Sequence, residues 1–140
     1  MTWNDKKILA KIRRHYLDKL ELVGEFVEGA ATLLCPVDLG NLKSSINHKV
    51  HKKDMSVTIG TPVEYAPYVE FGTGEKAENG MGRKGGWFYT TKYKQKKGHL
   101  LGKTKKGKFL YFTFGSKPQP FLRPALKNNK KKIKRILGVR

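Results

Sequence analysis

Apolar residues recur every three or four positions through the first quarter of the chain. The stripe consists of Leu9, Ile12, Tyr16, Leu20, Val23, Val27, Ala30 and Leu34. This spacing places all of them on one side of a helix. Asn4 or Asp5 can cap its beginning, and Pro36 cannot continue it. We therefore predict one long helix over residues 5–34, which would pack across a sheet or against another subunit.

Two later segments carry strand patterns. Apolar and polar positions alternate over residues 46–50 and 55–59, with a polar turn between them. This alternation predicts a β-hairpin over residues 45–60 with one face in the core. The segments WFYTTKY and KFLYFTFG are β-branched and aromatic, and they predict a second hairpin over residues 87–115.

The remaining patterns predict short helices. The segment VEYAPYVEFGTG fits one or two helical turns, with Pro67 early and glycines at the end. A last helix begins at about Pro124 and carries leucines and isoleucines on one side. The predicted class is α+β: a long N-terminal helix, an antiparallel sheet built from two hairpins, a short middle helix and a C-terminal helix. With 140 residues, the chain is expected to form a single domain, 1–140.

Charge is unevenly distributed along the chain. The sequence has 30 Lys and Arg, 11 Asp and Glu, and a net charge of +19; every acidic residue lies at or before Glu78. The excess is concentrated in a basic hairpin insertion at about 92–108 and in the basic C-terminal helix. Such asymmetry indicates an electrostatic partner, either nucleic acid or an acidic protein surface, and charge alone does not choose between them.

Residues able to perform catalysis do not converge in the sequence. The four histidines are scattered, and Asp18, Glu21, Glu25 and Glu28 have the spacing of a solvated helix face. Cys35 ends an apolar stripe and is interpreted as a buried, unreactive thiol. We therefore predict no catalytic, cofactor-binding or metal-binding residues, no cofactor, and a protein that is not an enzyme. A small nuclease is the weakest alternative, because no carboxylate follows Glu78. No apolar run reaches the roughly 20 residues that a membrane span requires, so no membrane contact is expected.

Three motifs in order resemble one family. PVDLGNLKSSI (residues 36–46) is similar to the P-x-D-T-G-x-L-x-x-S-I motif of phage head–tail joining proteins, with Leu39 where threonine is usual. VTIGTPVEYAPYVEFGTG (57–74) and PQPFLRPAL (118–126) are similar to the family's next two motifs. The motif and structural residues are Asp38, Gly40, Leu42, Gly60, Gly72, Pro120, Phe121, Leu122 and Pro124.

The resemblance implies a structural protein of tail completion, the tail-terminator or neck class. Such a protein acts as a ring, usually a hexamer, that caps the head-proximal end of a phage or prophage tail and joins it to the head connector. The implied partners are further copies of the chain, the tail tube protein and the head-completion or connector protein, with non-specific DNA contact as an addition. The implied location is the virion tail or neck, after assembly in the host cytoplasm. The alternative function is a nucleic-acid-binding module that uses the basic second half.

Candidate contact residues follow from composition. They combine large apolar side chains and lysines in two segments: Tyr65, Tyr68, Glu70, Phe71, Leu100, Leu101, Lys103, Lys105 and Lys106. The aromatic residues suit either the edge of the core or a subunit interface. Glu64 and Glu70 are the carboxylates expected to meet a neighbour's lysine.

Overall fold

The computed structural model describes residues 3–37, 40–80, 82–95 and 98–139. Within them the chain divides into two compact units, Met1–Ala66 with Pro120–Arg140, and Pro67–Gln119. The second unit is therefore an interruption of the first along the sequence. The single-domain organisation stays a prediction.

The first unit is built on helix α1, Trp3–Leu34. Its 32 residues give it a length of about 48 Å. Strands β1 (Asn47–His51) and β2 (Ser56–Gly60), together with helices α4 (Leu122–Lys127) and α5 (Lys130–Leu137), contact α1. The predicted long helix and first hairpin are confirmed.

The core of the first unit follows a line of residues four apart on α1. Val23, Val27 and Ala31 are buried on it, and Cys35 continues the line just after the helix. Leu42, Ile46, Phe121 and Ala125 complete this core. The buried line is therefore rotated slightly around the helix from the predicted stripe, since Leu34 is about half exposed. The amino-terminal half of the stripe is also exposed, because the rest of the unit covers α1 mainly beyond Leu20.

Helix α2 (Asn41–Ser45) joins α1 to the first hairpin. Gly40 precedes α2 with a φ of 77°, in the left-handed region that glycine adopts without strain. Its carbonyl accepts a hydrogen bond from Ser44 N at 3.0 Å, which closes the turn of the helix. Leu42 is buried on the inner side of this turn.

The predicted C-terminal helix is two helices. Asn128 and Asn129 separate α4 from α5, and Asn129 Nδ2 donates to the Ala125 carbonyl at 2.8 Å. Gly138 ends α5 in the left-handed conformation. Lys19 Nζ donates to the Leu137 carbonyl at 3.1 Å, which attaches the end of α5 to α1.

The second unit contains helix α3 (Ala66–Phe71) from Pro67 onward, a short 3-10 turn at Gly74–Lys76, and a three-stranded antiparallel sheet. The strands are β3 (Trp87–Thr91), β4 (His99–Lys103) and β5 (Phe109–Thr113), with β5 in the middle. Strands β3 and β5 confirm the second predicted hairpin. The basic insertion between them contains a further strand, β4, which pairs with β5.

The α+β class and the order of its elements are confirmed, whereas the two hairpins lie in separate sheets of two and three strands. Tyr111 is the buried centre of the larger sheet. Its ring stacks on that of Tyr89 at 5.5 Å, and its hydroxyl accepts a hydrogen bond from Gln95 N at 2.8 Å. Burial and the neighbouring Tyr111 raise the pKa of Tyr89 above its ordinary value.

Candidate assembly surfaces

Helix α3 presents the aromatic residues of the second motif to solvent. Ala66 and Glu70 are four residues apart and both are buried, so they share the inner side of the helix. Tyr68 and Phe71 lie on the outer side, and Tyr68 is 62% exposed. Tyr65, just before the helix, is also exposed. The sequence allowed these aromatic residues to lie either at the edge of the core or in a subunit interface. In the single chain they lie at the surface.

Glu70 is not part of this surface. The residue is only 4% exposed in the isolated chain, so its carboxylate is enclosed by the chain itself. Its position four residues after Ala66 explains why it points inward while its neighbours do not. Glu64, in contrast, is exposed.

Gly72 allows the chain to leave α3 along a crowded path. Its φ is 76°, and a Cβ there would lie 2.7 Å from the Ser116 carbonyl oxygen and 2.8 Å from Pro118 N. Thr73 N donates to that same carbonyl at 2.9 Å, and Gln119 N donates to the Val69 carbonyl at 2.8 Å. The segment after α3 is therefore attached to residues 116–119 within the second unit.

The basic turn, residues Lys103–Lys108, joins β4 to β5. Thr104 N donates to the Lys108 carbonyl and Gly107 N donates to the Thr104 carbonyl, both at 2.8 Å. These bonds place Lys105 and Lys106 at an exposed tip. Lys103 Nζ lies 4.9 Å from the centre of the Phe109 ring, a favourable cation–π distance.

Two exposed leucines precede the basic turn. Leu100 pairs with Tyr111 across the sheet, and a bulge falls between Leu100 and Gly102. Both Leu100 and Leu101 remain substantially exposed at this edge strand. Since no acidic residue follows Glu78, the nearby lysines have no carboxylate in residues 79–140. The edge of β4 and the basic turn thus combine apolar area with positive charge.

Positions 96 and 97 of the basic insertion, and the motif residue Asp38, lie outside the described residues. Phe121 of the third motif is fully buried, Pro124 is partly buried in α4, and Leu122 begins that helix. Pro120 is exposed. Gly60 does not need glycine's freedom, because its φ is not positive and a Cβ there would meet nothing within 4 Å.

His48 is held between two carboxylates of α1. Its Nδ1 lies 2.5 Å from Glu28 Oε2, and its Nε2 lies 3.2 Å from Glu21 Oε1. The hydrogen bond to Glu28 is the main cause that raises the pKa of His48 above 6.5, and burial opposes it; the Glu21 hydrogen bond and the charges of both carboxylates add to the rise. The cluster links β1 to α1 through charge-assisted hydrogen bonds.

This cluster was missed in the sequence, where the glutamates were interpreted as a solvated face. A signal was present: Glu21, Gly24 and Glu28 have i, i+3, i+7 spacing, which places a glycine between two carboxylates on one helix side. That arrangement leaves room for a side chain from another element. His51, three residues from His48, instead bonds Thr58 Oγ1 within the hairpin.

Cys35 is buried, as predicted, and its Sγ donates to the Pro36 carbonyl at 3.6 Å. Burial raises the pKa of the thiol above 9.0, and the charge of Lys43 partly opposes this. The thiolate is therefore disfavoured at neutral pH, which is typical of a structural cysteine.

Among residues 3–37, 40–80, 82–95 and 98–139, no group of three or more His, Cys, Asp or Glu side chains is arranged to hold a metal ion. In the same described part of the chain, no helix is both long and apolar enough to cross a membrane.

The fold and these surfaces define a small α+β protein whose exposed apolar and cationic residues suit contacts with other macromolecules. Residues 5–72 match the family model described as "Bacteriophage HK97-gp10, putative tail-component". The match begins near the start of α1, covers the first two motifs up to Gly72, and spans just under half of the chain. It confirms the resemblance to phage tail proteins: this part of the chain is similar to that family of phage tail components. The comparison with curated proteins and the comparison with solved structures each gave no match.

Proposed function

We propose that the protein is a non-enzymatic tail-completion subunit, which caps the head-proximal end of a phage tail as a ring of copies and joins it to the head connector. The observation that carries the proposal is the family match over residues 5–72, to which the motif PQPFLRPAL adds a third ordered segment outside the matched range. A hexamer is the proposed ring, and the tail tube and connector are the proposed neighbours.

The exposed surfaces of the second unit support contacts of this kind. Large apolar side chains left in water beside charged ones are typical of interaction sites. Tyr68 and Phe71 on α3, and Leu100 and Leu101 beside the basic turn, have this character. We propose that these two surfaces meet other proteins in the neck, where lysines would set encounter rate and register against acidic partners.

Complementation tests the proposal. A phage or prophage with its own copy of this gene deleted would receive wild-type protein, a Tyr68→Ala/Phe71→Ala variant or a Leu100→Ser/Leu101→Ser variant. We expect the deletion to yield separate heads and tails, wild type to restore joined particles, and both variants to fold but to join tails poorly. Substitutions are preferable to deleting residues 95–107, because that deletion would remove β4.

Lys49→Gln provides the control, since Lys49 is exposed on β1 in the first unit. It should join tails as well as wild type does. Electron microscopy counts joined particles, and immunodetection locates the protein in purified tails. Normal particles in the complete absence of the protein would contradict the proposed function.

The basic second half favours one further candidate, a nucleic-acid-binding module. Lys-rich loops bind phosphates without sequence preference. If this is the function, the protein should bind DNA or RNA at physiological salt, and it should do so without associating with tails. Gel-shift assays across a salt series, run beside the complementation assay, distinguish the two candidates.

A further inference from the structure

Helix α1 carries opposite charges in its two halves. Residues 5–19 contain six Lys and Arg and two Asp, whereas residues 20–34 contain Glu21, Glu25 and Glu28 and no Lys or Arg. The helix dipole favours acidic residues near the beginning of a helix and basic residues near its end. The order of charges on α1 is the reverse, so the stability of the isolated helix does not explain it.

The basic half also carries an uncovered apolar stripe. We name residues 5–19 the arm; on it Ile8, Leu9, Ile12 and Tyr16 are each about half exposed. Leu9, Ile12 and Tyr16 have i, i+3, i+7 spacing, which is the pattern of a helix that anchors in a groove. The stripe between Ile8 and Tyr16 is about 12 Å long.

The acidic half lies beside a groove of about 910 Å³ in the same unit. We name the groove by its walls: Glu25, Gly29 and Leu33 on α1, and Pro124, Asn128 and Asn129 opposite. Leu33 is 83% exposed, and a Cβ on Gly29 would meet nothing within 4 Å. The α1 wall, from Glu25 to Leu34, is about 14 Å long, so its length matches that of the arm stripe.

Charge distinguishes the two walls of the groove. Glu25 and Glu28 both line the α1 wall, and Glu28 is hydrogen-bonded to His48. The facing wall of Pro124, Asn128 and Asn129 adds no charge. Lys132 Nζ lies 4.1 Å above the ring of Phe26, another lining residue. The groove is therefore apolar with an acidic side, which complements a basic arm with an apolar stripe.

We propose that the arm of one subunit binds in the groove of a second copy of the same chain. The arm cannot reach its own groove, because both belong to one continuous helix, Trp3–Leu34. An arm bound in the groove therefore comes from another molecule, and a second copy supplies the length, the apolar stripe and the charge that the groove fits. Each subunit gives an arm and receives one, which is a heterologous contact able to close into a ring.

This inference rests on the ring in the proposed function and names the contact that forms it. The groove is blocked by Gly29→Trp, where the new side chain fills open space, and Gly29→Ala is the matched control. The arm is disabled by Leu9→Asp/Ile12→Asp, which changes exposed positions only. Circular dichroism checks that each variant remains folded.

Sedimentation and native mass spectrometry give the decisive readout. Wild type and Gly29→Ala should form the same multi-subunit species, while each disabled variant alone should be monomeric. A mixture of the two disabled variants retains one intact arm and one intact groove per pair. It should give a heterodimer of about twice 15.9 kDa and nothing larger. Assembly of Gly29→Trp like wild type, or a mixture without heterodimers when wild type assembles, would overturn the inference.

A second measurement applies to tails themselves, whether or not the free protein assembles in solution. Particles made with an Ile12→Cys/Leu33→Cys protein should yield a ladder of disulfide-linked copies on oxidation, and Lys49→Cys/Leu33→Cys particles should not. Incorporated protein without the ladder rejects the arm–groove contact and leaves the proposed function standing. Absence of the protein from tails rejects the proposed function instead.

Discussion

The ring of His48 lies directly against Gly24 of helix α1. A Cβ on Gly24 would be 2.7 Å from His48 Cγ, closer than real Cβ contacts permit. The ring is held there by Glu21 and Glu28, so it cannot move aside without losing charge-assisted hydrogen bonds. Because Gly24 has no side chain, the His48 ring has room to attach β1 to α1.

Gly24→Ala should destabilise the protein although alanine is the better helix former. Alanine gains about 1 kcal/mol of helix propensity. Overpacking against the fixed ring should cost more, typically about 1–3 kcal/mol. Urea unfolding followed by circular dichroism measures the free energy of unfolding. Gly29→Ala is the control on the same helix, with nothing within 4 Å of its Cβ, and it should stabilise by up to about 1 kcal/mol. Equal stabilisation by both alanines would contradict the packing argument.

The His48 cluster should make stability depend on pH. Because the carboxylates raise the pKa of His48 in the folded state, folding favours the protonated ring. The resulting stabilisation is fully present below the unfolded pKa of about 6.5 and is lost as pH rises through the higher folded pKa. The free energy of unfolding should therefore fall for wild type as pH is raised from 6 to 9.

His48→Gln should remove most of that pH dependence, so the stability difference between the variant and wild type should narrow as pH increases. His51→Gln serves as the control, because it leaves the cluster intact and should keep the wild-type slope. Parallel pH curves for wild type and His48→Gln would show that the cluster does not supply the linkage.

Phe121→Ala should be among the most destabilising single substitutions. Phe121 is fully buried in the first unit, and its motif places it just before α4. Removing a buried phenylalanine ring costs about 3–5 kcal/mol, including the cavity that it leaves. Leu22→Ala, at an exposed position of the same unit outside the proposed groove, should change stability by no more than about 0.5 kcal/mol. Chemical denaturation compares the two, and similar losses would mean that the burial pattern is wrong.

Local patterns predicted the helices and the first hairpin, because apolar residues recur along the sequence at the spacing of the buried positions in these elements. Val23, Val27 and Ala31 illustrate this for α1. Strand β4 could not be predicted in the same way, since none of its five residues is buried and its pairing to β5 depends on backbone hydrogen bonds at an exposed edge. The inward position of Glu70 was available from its i+4 relation to Ala66.

The contact partners of the charged residues were harder to predict from the sequence. The two glutamates of the His48 cluster are on α1 and the histidine is on β1, and only the fold brings them together. The groove beside Leu33 likewise needs Pro124 and Asn128 from the far end of the sequence. Of the predicted contact residues, those exposed on α3 and on the edge of β4 remain proposals.

The last prediction distinguishes assembly from DNA binding by removing the same number of positive charges from two different segments. One variant replaces Lys103, Lys105 and Lys106 of the basic turn with glutamine, and its matched partner replaces Lys130, Lys131 and Lys134 of α5. Lys132 is kept because it covers the Phe26 ring. Each variant loses three positive charges, so counterion release predicts a comparable drop for both, up to about 2.7, in the salt slope of DNA binding. If the basic turn meets an acidic protein neighbour, only the turn variant should join tails slowly, since charges at the edge of a contact mainly set its encounter rate. Time courses of particle formation, with DNA binding measured across a salt series, test both statements. Joining that slows equally in the two variants, in proportion to their loss of DNA affinity, would favour the nucleic-acid module over the assembly surface.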